Sequence, residues 1–522
     1  MSRLRLMSSA VVVVLIACSI GATTAPRPTA AASPPTPSAS GGTLVFGLSL
    51  EPPSLDPQVD SGTAALTVKL QLYRGLVAFY NGGKIVPELA ESWKQESPTS
   101  WVFNLRRGTK FSNGDPVTTD DVVYSFQRIL DPKTGARFRT QLSAIDKVEA
   151  VGPSTVRFTL KQPVATFLEL LALPEQAIVD QKFTQTHDLK TDVMGAGPFK
   201  MVEWQKGVSL TVERVPGFYK EGLPKLDRIK FVFLPDDTAR VTALRAGDVD
   251  LIEFVPWKDM QSLSADPNFW YQGTMGLFMY LQINVAHKPF DDPRVRQALG
   301  YAINRQAILD AAFSGRGGLI YGMATPSASW AYIPADAKYF RYDPDKARAL
   351  LRQAGVPDGL KVNVLSTSTY MMHEQTAVVV QAELKKVGLD VELNLPDWPT
   401  RLEQGLKGNY DLAVAGNPGD FNDPDFYYDF YHTGPIRSTA SPNFSDGQID
   451  RLLEEARQAP DLSKRKQLYA QFETRALELS PLIFLTWREQ GYAGKKSVRG
   501  FQNLPAFLVI RSGITLEETT VK

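Results

Sequence analysis

The sequence predicts an α/β protein of more than one lobe, and three observations carry that prediction. The chain has 522 residues, too many for a single apolar core at about 150 residues per domain. Its first half is punctuated by short alternating strands, whereas its second half holds helices with explicit start and stop residues. Within 361–395, KVNVLS, the helical TAVVVQAELKKVG and DVELNL make a strand–helix–strand unit, which predicts parallel strands joined by a crossover.

The first element is GTLVFGLSL from Gly42, a strand closed by the turn-forming EPPSLDP. Trp101, Phe103 and Leu105 alternate as a strand with one buried face. Val122, Val123, Phe126, Ile129 and Leu130 recur at helical spacing, opened by Thr119 and Asp120 and stopped ahead of Pro132. GPFKMVEW, VSLTVERV and DRIKFVFL predict three more strands. DDPRVRQALGYAINRQAILDAAFSG predicts one helix with an Asp cap, Pro293 in its first turn and Gly315 past its end. YDPDKARALLRQAG repeats that design with Asp343, Pro344 and Gly355.

Charge is nearly balanced, 57 basic against 56 acidic residues, and no Lys/Arg block supports a nucleic-acid partner. Arg3 and Arg5, then Ala10–Ala17 (AVVVVLIA), then Cys18 have the layout of a secretory signal. That apolar run is too short to cross a hydrocarbon layer about 30 Å thick. Leu15-Ile16-Ala17-Cys18 resembles a bacterial lipobox, so residues 1–18 are expected to be a signal peptide that leaves a lipid on Cys18. A plain signal peptide cut near the alanines at 30–32 is the other reading. Both place the protein outside the cytoplasm, in the periplasm or on the outer face of the membrane; in the lipobox reading the lipid is its one membrane contact. The Pro-, Ala- and Ser-rich 19–42 reads as an extended tether. A single cysteine excludes an intramolecular disulfide and a CxxC metal site.

Catalytic signatures are absent: there is no HExxH, GxSxG or GxxxxGK[ST]. The four histidines, His187, His287, His373 and His432, have no partner at ligand spacing. They are expected on the surface or in loops, and no metal or cofactor is expected. The most unusual stretch is 416–430, GNPGDFNDPDFYYDF, where four aspartates are crowded among aromatic residues. It fails as an EF-hand because Pro424 and Asp425 fall where an oxygen ligand and a glycine are needed. A catalytic acid pair and a pocket that holds a cation against aromatic walls both stay open for it.

Several stretches resemble, in order and spacing, the extracellular solute-binding proteins of family 5, the peptide, dipeptide and nickel receptors of ABC importers. They are VPELAESW, WVFNLRRGTKFSNGDPVTTDDVVYSF, GAGPFKMVEWQKG, ALRAGDVD, PFDDPRVRQALGYAINRQ and YDPDKARALLRQAG. The resemblance covers about residues 43–510. It implies a hinged, two-lobed periplasmic-binding-protein fold of type II with an extra α+β subdomain in the first lobe. Lobe I would comprise 43–60, 190–283 and 490–522, the extra subdomain 61–189, and lobe II 284–489. Hinge strands would lie near Leu281–Val285 and Arg488–Tyr492. The implied function is capture of peptides, oligopeptides above all, by a monomeric receptor. That receptor would serve an ABC permease and its ATPase subunits, with no enzymatic activity.

The resemblance also places residues. Asp420 matches the aspartate that pairs with a peptide's α-ammonium group; the alternative is that it caps a loop. Asp423 and Asp425 read as structural, at the start of the next helix. Trp398 matches a recurrent tryptophan that lines a side-chain pocket or packs between the lobes. Leu48, Ser49 and Glu51 lie on the strand and loop that border the ligand, where backbone groups could pair with an extended peptide. Asn417 stands where a tryptophan often precedes the key aspartate, and Phe421 follows it. Ser366-Thr367-Ser368-Thr369 replaces the arginine with which dipeptide receptors grip a carboxylate, which argues against a strict dipeptide receptor. An oligosaccharide or a nickel chelate is the alternative ligand. A secreted hydrolase would need a catalytic constellation that the sequence does not contain.

Overall fold

The computed structural model describes residues 41–522 apart from 60, 61, 81, 82, 418, 435 and 436. The expected signal peptide, Cys18 and nearly all of the tether lie outside the described residues.

Eleven strands form the main sheet: β1 (Thr43–Leu48), β2 (Phe199–Gln205), β3 (Ser209–Arg214), β4 (Arg228–Phe233), β5 (Leu251–Ile252), β6 (Phe269–Ile283), β7 (Gly317–Leu319), β8 (Leu360–Leu365), β9 (Leu389–Asn394), β10 (Leu412–Asn417) and β11 (Leu482–Lys495). Their order is β9-β8-β10-β6-β11-β5-β1-β4-β3-β2, with β7 on β11. β8 runs parallel to β9 and joins it through the helix Met371–Lys385, so the expected crossover is present. β1 is parallel to β4 and β5.

The two long strands β6 and β11 pair antiparallel from Phe269 to Gln282 and connect the two groups of strands. Their ladder shifts register at Gly276. A side chain there would meet the Ala506 carbonyl at 2.0 Å, so a glycine lets the C-terminal segment cross the bulge. A separate four-stranded sheet holds Ala90–Ser97, Ser100–Leu105, Ile145–Gly152 and Thr155–Leu160. Trp101, Phe103 and Leu105 face its core, packed against the helix Thr119–Leu130. Thr118 caps that helix and exchanges hydrogen bonds with Asp121, a capping box one residue earlier than Thr119. Three large apolar clusters result, around β6 and β8–β11, around the four-stranded sheet, and around β1–β4.

One expected helix is two. Pro293–Ala302 and Arg305–Phe313 are separated at Ile303-Asn304. Asn304 Oδ1 accepts the backbone N–H groups of Gln306 and Ala307, which starts the second helix afresh. Arg305 is buried and donates to the carbonyls of Gly300, Ile303, Phe340 and Phe484, which holds the corner. Asn304→Ala is expected to cost about 1 kcal/mol in urea unfolding, the usual value of such a cap. No loss would assign the break to Arg305 alone.

Candidate functional site

The stretch 416–430 leaves the end of β10 and turns at once. Asn417 Oδ1 accepts the Gly419 N–H at 2.8 Å, a local turn of the Asx kind. Gly419 has φ +70, and a side chain there would meet the Phe507 ring at 2.9 Å. The turn delivers Asp420, 7% exposed, to Arg137, whose Nη2 donates to its Oδ1 at 3.1 Å. Arg137 also lies 3.9 Å from Glu175, and its side chain keeps 37% of its exposure. The pair is therefore reachable.

The other three aspartates are used internally. Asp423 caps the turn Pro424–Tyr427 and binds Arg465 at 2.6 Å and 2.9 Å. Asp425 takes three bonds of 3.0–3.2 Å from Arg457, plus the Thr166 hydroxyl at 2.6 Å. Asp429 accepts from Gln141 at 2.8 Å; burial, reinforced by the charge of Asp420, pushes it up to about 6. Aromatic rings flank both arginines: Arg457 sits 3.7 Å over Tyr428 of the same stretch, and Arg465 sits 5.1 Å over Trp330 from outside it. The cations held against aromatic walls are the protein's own guanidiniums, and Asp420 is the member whose partner is open.

The other expected site residues divide. Leu48 is fully buried in the β1–β4 core and its carbonyl accepts from Leu234. Glu51 is spent on Trp204 Nε1 at 2.8 Å and the Gly207 N–H at 3.0 Å. Phe421 packs in the core of the four-stranded sheet. Ser49 gives both its N–H and its hydroxyl to Glu253, at 2.9 Å and 2.7 Å. The Leu48 carbonyl and the Ser49 N–H, expected to pair with an extended peptide, are thus already engaged within the protein. Trp398 is half-buried at the start of the helix Trp398–Lys407, with its ring edge-on to Tyr370 and His373 at 5.2 Å and 5.7 Å.

His373 corrects the surface expectation: it is 4% exposed. Burial, then the charges of Arg401 and Arg488, push it down to about 3, so it is a neutral imidazole. Arg137, His373, Arg401 and Arg488 had not been singled out as site residues. Arg137 is separated from Asp420 by 283 residues, so no local pattern joins them. Arg488 did leave a trace, a charged Arg-Glu pair inside the otherwise apolar LIFLTWREQGYAG. Among the described residues no helix is long and apolar enough to cross a membrane, and no group of His, Cys, Asp and Glu could hold a metal ion.

The comparisons with known proteins agree with this architecture. The profile of the bacterial extracellular solute-binding proteins, family 5 (Middle), matches residues 84–438. The di/tripeptide-binding protein 1 of Pseudomonas aeruginosa is 28% identical, over 90% of this chain and 93% of that one. The structure of the periplasmic binding protein AgaA of A. tumefaciens R10 with agropinic acid superposes with a TM-score of 0.87 at 44% identity, over 92% of this chain and 99% of that one. The DppA protein of Helicobacter pylori, solved with the peptide STSA, gives a TM-score of 0.82 at 26% identity, over 92% and 98%. The fold is the two-lobed one of periplasmic binding proteins.

Proposed function

Because the chain belongs to the bacterial extracellular solute-binding proteins of family 5, we propose that it captures a peptide between two closing lobes for an ABC permease driven by its ATPase subunits. The proposed lobes are 43–60 with 190–283 and 490–522, and 284–489, with 61–189 as the subdomain added to the first. Closure would be a hinge motion about β6 and β11, and ligand would shift the population toward the closed form. Capture needs no covalent chemistry, so the protein would work as a receptor and not as an enzyme, and one chain carries both proposed lobes. A lipid on Cys18 would keep it at the membrane it serves.

The observation that carries this reading is the Asp420–Arg137 pair, a nearly buried carboxylate whose partner stays open. A ligand ammonium group there would share Asp420 with Arg137, and closure would strengthen the attraction by excluding water. Asn417 would shape the turn that presents Asp420, and Trp398 would serve as an aromatic wall of the cleft. A second reading, an acid of the opine kind, is favoured by the 44% identity to the protein solved with agropinic acid.

The test is a thermal shift of the purified chain with tri- to pentapeptides, the same peptides N-acetylated, and agropinic acid. Ligand at 100 times its dissociation constant adds about 2.7 kcal/mol. Stabilisation by free-amine peptides, lost on acetylation and in Asp420→Ala, supports the peptide and its anchor. A shift with agropinic acid alone replaces the peptide by the opine reading.

A further inference from the structure

Buried arginines in this protein follow a rule with one marked departure. Arg240, Arg296 and Arg305 donate to backbone carbonyls. Arg457 and Arg465 bind carboxylates. Arg488, 5% exposed on β11, does neither: among the described residues its guanidinium takes part in no hydrogen bond or ion pair, and Nε and Nη1 are fully enclosed without a partner. The next residue cannot neutralise it. Strand alternation sends Glu489 to the other face, where it meets Tyr271 and Arg316.

The groups beside Arg488 share its condition. Thr486 and Gln490 lie on its face of β11, and neither the hydroxyl nor either amide atom has a partner. Thr486 pairs across the ladder with Met279, and Met279 with Gly416. His373 packs against Gly416 and leaves Nδ1 free. Arg401 stands 5.7 Å over the Trp398 ring; its Nη2 donates to the Val414 carbonyl at 3.2 Å, and its Nε has no partner. The Phe254 ring flanks Arg488 at 5.8 Å. A native protein leaves few buried polar groups unpaired, and an isolated buried charge costs more than any of them. Three such side chains on one face of β11, with unpartnered nitrogens of His373 and Arg401 on the helices Met371–Lys385 and Trp398–Lys407, are explained by a missing partner.

We infer that Arg488, with Thr486, Gln490, His373 and Arg401 around it, is the subsite that receives the ligand's carboxylate. This rests on the receptor reading above and deepens it: the ligand is an acid. The subsite replaces the arginine missing from Ser366–Thr369 by one on the opposite side of β10. Phe254 beside Arg488 and Trp398 beside Arg401 suit the chemistry, since a guanidinium flanked by an aromatic face presents its N–H groups edgewise to a planar carboxylate.

The test uses the full chain and three variants, Arg488→Met, Arg488→Lys and Glu489→Gln, with trialanine, trialanine C-terminal amide and agropinic acid as probes. In wild type the free acids should bind about 100-fold more tightly than the amide, the value of a charge-assisted pair. Arg488→Met should abolish that difference, Arg488→Lys should restore part of it, and Glu489→Gln, on the other face, should leave it intact. The ligand-free melting midpoint of Arg488→Met should be unchanged or higher, because an unpaired buried charge is removed. Equal binding of acid and amide to wild type overturns the subsite. So does a ligand-free midpoint lowered by more than about 5 °C, which would make Arg488 structural. Agropinic acid bound through Arg488 while trialanine is not sinks the peptide reading and supports the subsite. If none of the three binds, both ligand readings fail, and sodium acetate against chloride decides: stabilisation of wild type but not of Arg488→Met supports the subsite, and none overturns it.

Discussion

Asp425→Ala is expected to destabilise the protein by about 3–5 kcal/mol, the usual cost of stripping one partner from a buried ion pair. Asp425 and Arg457 have side-chain exposures of only 1% and 9%, so the surviving guanidinium cannot turn to water. The Thr166 hydroxyl would lose its acceptor in the same step. Urea unfolding measures the loss. The double variant Asp425→Ala with Arg457→Met should recover much of it, because no charge is then left buried. A single variant within about 1 kcal/mol of wild type would mean that water reaches Arg457, and the pair would then rank as a surface bridge.

The second large effect is a dependence on pH set by Glu473. This residue is 1% exposed on the helix Leu462–Leu479, and it accepts the Thr325 hydroxyl at 2.6 Å. Burial, opposed by that bond and helped by the charge of Asp336, pushes its carboxyl from 4.5 up to about 8. The folded protein then keeps a proton that the unfolded chain releases near 4.5, so stability falls as pH rises between these two values and levels off above about 8. Glu473→Gln retains the shape and cannot ionise. Its urea midpoint should match wild type near pH 5 and exceed it near pH 9, by up to roughly 4 kcal/mol. If both proteins lose the same stability over that range, the proton lies elsewhere. Asp429, at about 6, adds a smaller fall in the same direction.

The strands β1–β4, β8 and β9 were legible because each alternates or runs apolar between turn residues, a pattern that local chemistry imposes. β6 and β11 were placed only in outline, as hinge strands near Leu281 and Arg488. The C-terminal half of β6 is buried on both faces, which removes the alternation that would have marked it. The helix 293–313 was overread because its periodicity continues across Asn304, and the break depends on Arg305 reaching carbonyls as distant as Phe484. Of the site residues named from the sequence, Asn417 and Asp420 share the turn after β10, and Trp398 packs apart from them on Tyr370 and His373. Leu48, Glu51 and Phe421 are engaged in packing or in hydrogen bonds to β2–β3 and the cores.

By itself the sequence determined most of the segments that become strand or helix, the family, and the place of Asp420 after β10. These are matters of neighbours in the chain: periodicity, caps, turns and motif order. Only the tertiary structure decided which charges are compensated. Whether Asp423, Asp425 and Asp429 are ligands or internal counter-charges depends on Arg465, Arg457 and Gln141, and Arg137 reaches Asp420 across 283 residues. The isolation of Arg488 is likewise invisible in sequence, because a lone guanidinium is defined by the partners that the fold fails to bring to it.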